Sequence, residues 1–200
     1  MLISRTSSIW NQKVLDSALF LLPGGNEYYI EIYGTYLITN ILWWTVGGIY
    51  SYLDITNTPT FLRKYKIQPD TNEPVDPKKF KNLMWTVFFN QIVLFFPLVH
   101  IGVWAHSWRG RPDIKILPEF QQVVLELIAF VLIEEVMFFY SHWMLHHGKI
   151  YKYIHKKHHE WTAPIAYTSL YAHPIEHFLS NLFPVFLGPF ICGSHIATSK

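Results

Sequence analysis

The sequence SHWMLHHGKIYKYIHKKHHEW, residues 141–161, contains six of the 11 histidines of this 200-residue chain. Five of them recur at helical spacings, first four residues apart and then at i, i+3 and i+4: His142, His146, His155, His158 and His159. Both spacings bring imidazoles to one face of a helix, close enough to share a metal ion. The stretch therefore predicts helices that carry a metal site.

The histidine cluster continues beyond this stretch. Nine of the 11 histidines lie in residues 142–195, where an even distribution would place about three. Imidazole is a suitable ligand for iron, copper, nickel or zinc. Because this number of imidazoles exceeds what one ion can bind, we infer two transition-metal ions. The candidate ligands are His142, His146, His147, His155, His158, His159, His173 and His177. Because His147 adjoins His146, these two side chains cannot point the same way on a helix.

Glu135 is the candidate catalytic carboxylate. It precedes His142 by seven residues, or two helical turns, so we expect it on the same face, as a ligand or as an acceptor that orients an imidazole N–H. Glu134 is rotated by about 100° and is better explained as a packing partner of a lysine. For Glu160 and Glu176, support of a histidine and a solvated surface position remain equally open.

Composition indicates a membrane protein. Half of the residues are hydrophobic and the net charge is only +2, which argues against a nucleic-acid partner and for a lipid one. Residues 32–53, 82–108 and 178–199 contain no Asp, Glu, Lys or Arg, and each run is long enough to cross a bilayer. We expect a kink at Pro97 and a bent or re-entrant third run. The fold class predicted is all-α, a polytopic membrane helical bundle.

Residues 119–147 are apolar but carry Glu126, Glu134 and Glu135 within the run, which favours the wall of a polar cavity, with an interfacial amphipathic helix as the alternative. We predict membrane spans and a connecting loop in residues 1–118 and a histidine-rich domain in 119–200. The side of the membrane that holds the loop 54–81 and the histidine motifs carries ten Lys and Arg residues, and the opposite side carries five. Because cytosolic loops are richer in Lys and Arg, we predict that the metal site faces the cytosol.

The motifs HWMLH (142–146), HKKHH (155–159) and AHPIE (172–176) resemble the histidine boxes of the fatty acid hydroxylase and sterol desaturase superfamily, with greater similarity to its sterol C4-methyl oxidase branch. The resemblance implies a multi-pass, non-haem diiron oxygenase of the endoplasmic reticulum membrane. Such an enzyme takes electrons from cytochrome b5 or a reductase and hydroxylates a C–H bond of a sterol or fatty acyl lipid. It assigns the five box histidines and His173 as iron ligands, with His177 less secure because that branch often lacks it. Trp143 stands where the family usually has arginine.

The family's last box, a second HxxHH that follows the one at 155–159, is absent from these 200 residues. We therefore expect this chain alone to bind metal incompletely and to show little oxygenase activity. A fatty acyl or sphingolipid substrate is the alternative to a 4-methylsterol. Non-catalytic metal binding or regulation is the alternative of another class, and a haem protein is a third.

Overall fold

The computed structural model describes residues 27–110, 112–113 and 116–199, and within them the chain is helical and contains no strand. The α-helices are α1 (Glu27–Tyr29), α2 (Thr35–Thr56), α3 (Thr60–Arg63), α4 (Pro77–Phe89), α5 (Phe96–Arg109), α6 (Phe120–Leu145), α7 (Gly148–Tyr151), α8 (Pro174–Glu176), α9 (Phe183–Cys192) and α10 (Ile196–Ser199). Three π-helical segments (Ile30–Gly34, Asn90–Phe95 and His177–Leu182) and two 3-10 helices (His155–Glu160 and Ala166–Leu170) complete the elements. The all-α prediction is confirmed.

Two continuous helices are long and apolar enough to cross a membrane among the described residues, Pro77–Arg109 and Pro174–Cys192. They cover the second predicted run and most of the third, while α2 covers most of the first. The polytopic arrangement and its orientation stay predictions. Four basic residues used in the charge comparison lie outside the described residues: Arg5, Lys13, Arg111 and Lys115.

Proline accounts for the π-helical segments of both long helices. Asn90–Phe95 ends two residues before Pro97, and His177–Leu182 ends two residues before Pro184. A proline within a helix lacks an N–H and its ring clashes with the carbonyl one turn earlier. A wider turn accommodates that clash. The distortion expected at Pro97 is therefore present as a π-helical segment.

The chain divides into two compact units that interleave along the sequence. The first contains Met1–Ile38, Leu98–Met137 and Phe183–Lys200, and the second contains Thr39–Pro97 and Phe138–Leu182. In the first unit, α9 packs closely on two helices, because Phe186 lies over Gly102 of α5 and Gly188 lies against the Phe130 backbone of α6.

The second unit is built around a core from three parts of the chain. Leu83 and Val87 of α4 are fully buried and pack with Trp161, Tyr167 and Tyr171, which follow the first two histidine motifs. Smaller contributions come from α2. This core fixes α4 beside the segment that carries the second histidine motif.

Tyr167 joins that core to α2. Its hydroxyl donates a hydrogen bond of 3.1 Å to the Trp44 carbonyl, and its ring lies over Gly47, where a β-carbon would stand only 2.7 Å from Tyr167 Cε1. Glycine is required here because any larger residue would displace the ring.

Candidate metal centre

The end of α6 delivers the first two imidazoles of the site. His142 lies in the last turn of the helix and His146 directly follows it, anchored by the buried Leu145 between them. Their Nε2 atoms are 3.2 Å apart. The predicted i, i+4 convergence of the first motif is therefore present.

The second motif forms a 3-10 helix, and two of its histidines extend the group of nitrogens. His155 Nε2 lies 3.1 Å from His146 Nε2, and His159 Nε2 lies 2.9 Å from His155 Nε2. The ligating nitrogens of His142, His146 and His155 all lie within 4.8 Å of one another. One ion that binds imidazoles at about 2.1 Å holds neighbouring nitrogens roughly 3.0–3.4 Å apart, so the spacing fits a transition metal.

A buried carboxyl orients the central imidazole. Glu176 Oε1 lies 2.8 Å from His155 Nδ1, and the two side chains are 4% and 0% exposed. A hydrogen bond from Nδ1–H to the carboxyl places the lone pair of His155 on Nε2, toward the other imidazoles. This is the usual carboxylate support of a metal-binding histidine.

Two histidines of the second motif, His155 and His159, have a lowered pKa. Burial, followed by the charges of the neighbouring imidazoles, lowers the pKa of His155 to about 4. Burial is also the main cause of the lowered pKa of His159. Only a neutral imidazole offers a lone pair to a metal, so both residues are in the ligating form at neutral pH.

Hydrogen bonds fix the 3-10 helix to α4. Tyr171 Oη donates to Glu160 Oε2 at 2.6 Å and accepts from Asn82 Nδ2 at 3.0 Å. Lys79 Nζ donates to the Glu160 carbonyl at 3.1 Å and stands over the Trp161 ring. Burial and the bond to Glu160 raise the pKa of Tyr171, which stays protonated as a donor. These bonds hold the C-terminal end of the 3-10 helix His155–Glu160 against α4.

The other candidate histidines have different surroundings. His158 stacks on His155 with ring centroids 5.7 Å apart, and its Nδ1 lies 3.4 Å from the Tyr171 carbonyl. His147 and His173 cap α7 and α8, each accepting a backbone N–H at Nδ1, which leaves Nε2 for other partners. His177 is buried, with Nδ1 3.2 Å from Asn181 Nδ2. Their roles as ligands stay predictions.

The carboxylate predicted from helical spacing is not the one found beside the imidazoles. Glu135 is exposed, and within the described part of the chain it has no hydrogen-bond or ion-pair partner. Its role stays a prediction. Sequence spacing alone does not decide the role of Glu176. The HPIE motif does predict its position, because a proline after a capping histidine marks the start of a helix and places Glu176 in the first turn.

Comparison with known proteins shows what the histidine-bearing part of the chain is similar to. A family model described as fatty acid hydroxylase matches residues 127–199. These residues are therefore similar to the fatty acid hydroxylase family. The hydroxylase domain contains every candidate ligand and Glu176.

The relatives support the same assignment. Fatty acid hydroxylase domain-containing protein 2 of Homo sapiens is 46% identical over 174 residues, 87% of this chain and 52% of that protein. Fatty acid hydroxylase ahd1 of Mycosarcoma maydis is 34% identical, over 86% of this chain and 45% of its own length. Methylsterol monooxygenase 1 of Danio rerio is 30% identical, over 78% and 52%.

The chain thus spans about half the length of these curated relatives. No solved structure matches it. The relation to hydroxylases and to methylsterol monooxygenases confirms the superfamily and the branch predicted from the histidine boxes, and it supports an oxygenase by resemblance.

Proposed function

We propose that this chain forms part of a non-haem diiron membrane oxygenase that hydroxylates a C–H bond of a lipid, with a 4-methylsterol as the substrate. The observation that carries the proposal is the convergence of three imidazole nitrogens within 4.8 Å, with the central imidazole bonded to a buried carboxyl. Bound iron supplies the activation of dioxygen that attack on an unactivated C–H bond requires. The relatives named as methylsterol monooxygenases support the substrate class.

The residues of the site have separate tasks in this proposal. His142, His146 and His155 would hold one ion, since their ligating nitrogens all lie within 4.8 Å of one another. His158, His159, His173 and His177 are the remaining candidates for the second. Glu176 keeps the proton of His155 on Nδ1, and the Tyr171 and Glu160 pair keeps the segment against α4. Such fixed ligand geometry spares the site reorganisation when the metal binds.

The cellular setting completes the proposal. The enzyme lies in the endoplasmic reticulum membrane as a multi-pass protein, with its histidines on the cytosolic side and cytochrome b5 or a reductase as electron donor. The apolar helices Pro77–Arg109 and Pro174–Cys192 support membrane insertion. An acceptor for N-glycosylation placed in the loop 54–81 tests the orientation, because glycosylation there would reverse it.

Metal analysis tests the site. Replacing His155 and His158 together by alanine should reduce bound iron strongly, because the double change removes one convergent imidazole and its stacked neighbour. The matched control is His100→Ala, whose imidazole bonds to Tyr28 in the first unit and should leave iron content unchanged. Full iron content in the double variant would contradict the two-motif site.

A substrate comparison tests the reaction. The chain, and a longer form bearing an HxxHH box, would be supplied with iron, dioxygen and a reductase system and offered a 4-methylsterol or a long-chain fatty acyl substrate. Oxygen-dependent conversion of the sterol supports the proposal. Conversion of the fatty acyl substrate alone would favour the alternative that the name of the Mycosarcoma maydis relative supports. Bound zinc with no redox response would favour a non-catalytic metal binder.

A further inference from the structure

The segment that follows α2 exposes large apolar side chains. Phe61, Tyr65 and Ile67, which we call the apolar patch, are 65%, 69% and 95% exposed. Phe61 lies in α3, and the helical turn continues beyond it, because Tyr65 N donates to the Leu62 carbonyl at 3.0 Å. The whole segment belongs to the second unit. Exposed apolar patches mark surfaces that bind another protein or a membrane.

Two cationic side chains of the same segment point the other way. Helical geometry rotates successive residues by about 100°, which puts Arg63 and Lys66 on the face opposite to the aromatic side chains of the patch. Arg63 Nη2 lies 2.9 Å from Glu73 Oε2, and Lys66 Nζ pairs with Glu73 Oε1. The Glu73 side chain is only 6% exposed. Both cations are therefore turned toward a buried carboxylate, and the apolar side chains are turned outward.

This arrangement inverts the polarity expected of a loop in water. In water, burial of apolar side chains stabilises a fold, whereas exposed charges are well solvated and ion pairs add little. In contact with lipid, an outward apolar side chain is favourable and an unpaired charge is costly. The inverted polarity therefore favours lipid over water as the surroundings of the apolar patch.

The apolar patch follows a helix face that a membrane would cover. In α2, Leu42, Val46 and Ile49 are exposed and belong to the charge-free run 32–53. Asn57 ends α2 with a φ of 53° and turns the chain, and α3 begins three residues later. The patch therefore lies beside the end of α2, where the charge-free run has just ended. This is the level of the lipid headgroups if the run crosses the bilayer.

Lys64 and Tyr65 show a pairing typical of a membrane interface. Lys64 Nζ stands 4.9 Å from the centre of the Tyr65 ring. A lysine stem lies along apolar surface while its ammonium reaches the polar layer, and tyrosine is enriched at the same depth. Lysine is depleted in protein–protein interfaces. The pair therefore favours a bilayer over a protein as the partner of the patch.

We propose that the apolar patch inserts into the headgroup region of the bilayer and anchors the loop 54–81 to the membrane surface. Interfacial segments of this kind bury their apolar face roughly 5–10 Å into the boundary between headgroups and acyl chains. The inference rests on the membrane setting of the proposed function and is independent of its oxygenase chemistry.

The anchor is coupled to the histidine segment. Asn72 Nδ2 donates to the Ala163 carbonyl at 2.7 Å, and Val75 packs with Trp161 in the core of the second unit. Trp161 directly follows the 3-10 helix that carries the second histidine motif. A patch fixed in the headgroup layer therefore sets the height of that motif relative to the lipid.

Depth-dependent quenching tests the contact with lipid. In a Cys192→Ser background, which removes the single cysteine, a fluorescent label would be attached to Ile67→Cys or to Thr71→Cys. Thr71 is the matched control, because it is exposed and lies in the stretch 70–73 that pairs with the charged face. In vesicles of phosphatidylcholine brominated near the headgroup end of its acyl chains, quenching should be at least about twofold greater at position 67 than at 71. Equal quenching at the two positions would overturn the proposal.

Removal of the aromatic anchors tests whether the patch causes the insertion. Phe61→Ser together with Tyr65→Ser should reduce quenching of the label at position 67 at least about twofold, because most of the inserted apolar surface is lost. Tyr153→Ser is the matched control, since Tyr153 is another exposed tyrosine with a lysine over its ring, at 4.7 Å, but lies outside the patch. Undiminished quenching in the double serine variant, with helical content unchanged by circular dichroism, would refute the role of the patch.

Tryptophan fluorescence separates this inference from the proposed function. Quenching of the chain's own tryptophans by brominated lipid, without quenching at position 67, would show an inserted chain whose patch meets a protein or water, and would overturn the anchor. Quenching of neither would contradict the membrane setting and the anchor together. A quenched label on a chain that oxygenates no lipid would support the anchor and contradict the oxygenase.

Discussion

Removing the carboxyl of Glu176 should weaken metal binding more than any other change outside the ligands. The bond to His155 Nδ1 is 2.8 Å long and both groups are excluded from solvent, so water cannot replace the lost acceptor. Loss of such an outer partner lowers metal affinity by roughly 10–100-fold. Glu176→Gln keeps a side-chain oxygen that can accept from His155 Nδ1–H, and metal affinity should fall near tenfold, or about 1.4 kcal/mol. Glu176→Ala leaves the N–H buried and unbonded and should approach 100-fold, or about 2.7 kcal/mol.

The assay is competition for iron(II) between the purified chain and a chelator of known affinity, in one detergent, with helical content checked by circular dichroism. Glu134→Gln is the matched control, because this residue is an exposed glutamate of α6. Glu135→Gln tests the rival assignment made from helical spacing alone. Wild-type affinity in Glu176→Ala, together with a tenfold loss in Glu135→Gln, would refute the assignment of Glu176 as the carboxyl that supports the site.

Three further predictions concern stability. Gly47→Ala should lower the free energy of unfolding by about 1–3 kcal/mol, because the added methyl group would lie 2.7 Å from Tyr167. Gly148→Ala, where no atom lies within 4 Å of the added carbon, should leave the free energy of unfolding unchanged. Chemical denaturation measures both variants. Tyr171→Phe loses two buried hydrogen bonds and should cost about 1–3 kcal/mol in the same assay, while Tyr153→Phe at an exposed site should cost almost nothing. Removing bound metal with a chelator should lower the melting temperature, and adding iron(II) should restore it, because a ligand that binds only the folded protein stabilises the folded protein. A melting temperature that does not change with metal would contradict a metal site in the folded protein.

The helices and the histidine cluster could be predicted because their signals are local. Charge-free runs and proline positions placed the apolar helices and their distortion at Pro97. The i, i+4 spacing of His142 and His146 placed two nitrogens 3.2 Å apart on consecutive turns of one helix. Each of these inferences depends on residues within one continuous segment of the chain, where helical geometry alone decides the outcome.

The support of the cluster could not be predicted in the same way. Glu176 lies 21 residues from His155, and their contact depends on how two helical segments pack rather than on spacing. Glu135 lies two helical turns before His142 and was the better candidate by spacing, but its side chain is exposed. The 3-10 geometry of His155–Glu160 also escaped prediction, since it depends on the hydrogen bonds that bind its end to Tyr171 and α4. Tertiary contacts therefore decide which acid serves the imidazoles.

The position of Glu176 has a consequence for biosynthesis. It stands in the first turn of the apolar helix Pro174–Cys192, while its partner His155 precedes that helix. A ribosome releases His155 21 residues before Glu176, so the nascent chain first presents loose imidazoles and gains their carboxyl only as the helix Pro174–Cys192 emerges. Iron captured earlier would bind a mobile set of histidines, and firm capture waits for that helix to reach its place. In the proposed enzyme, cofactor loading and membrane integration would thus be steps of a single maturation event.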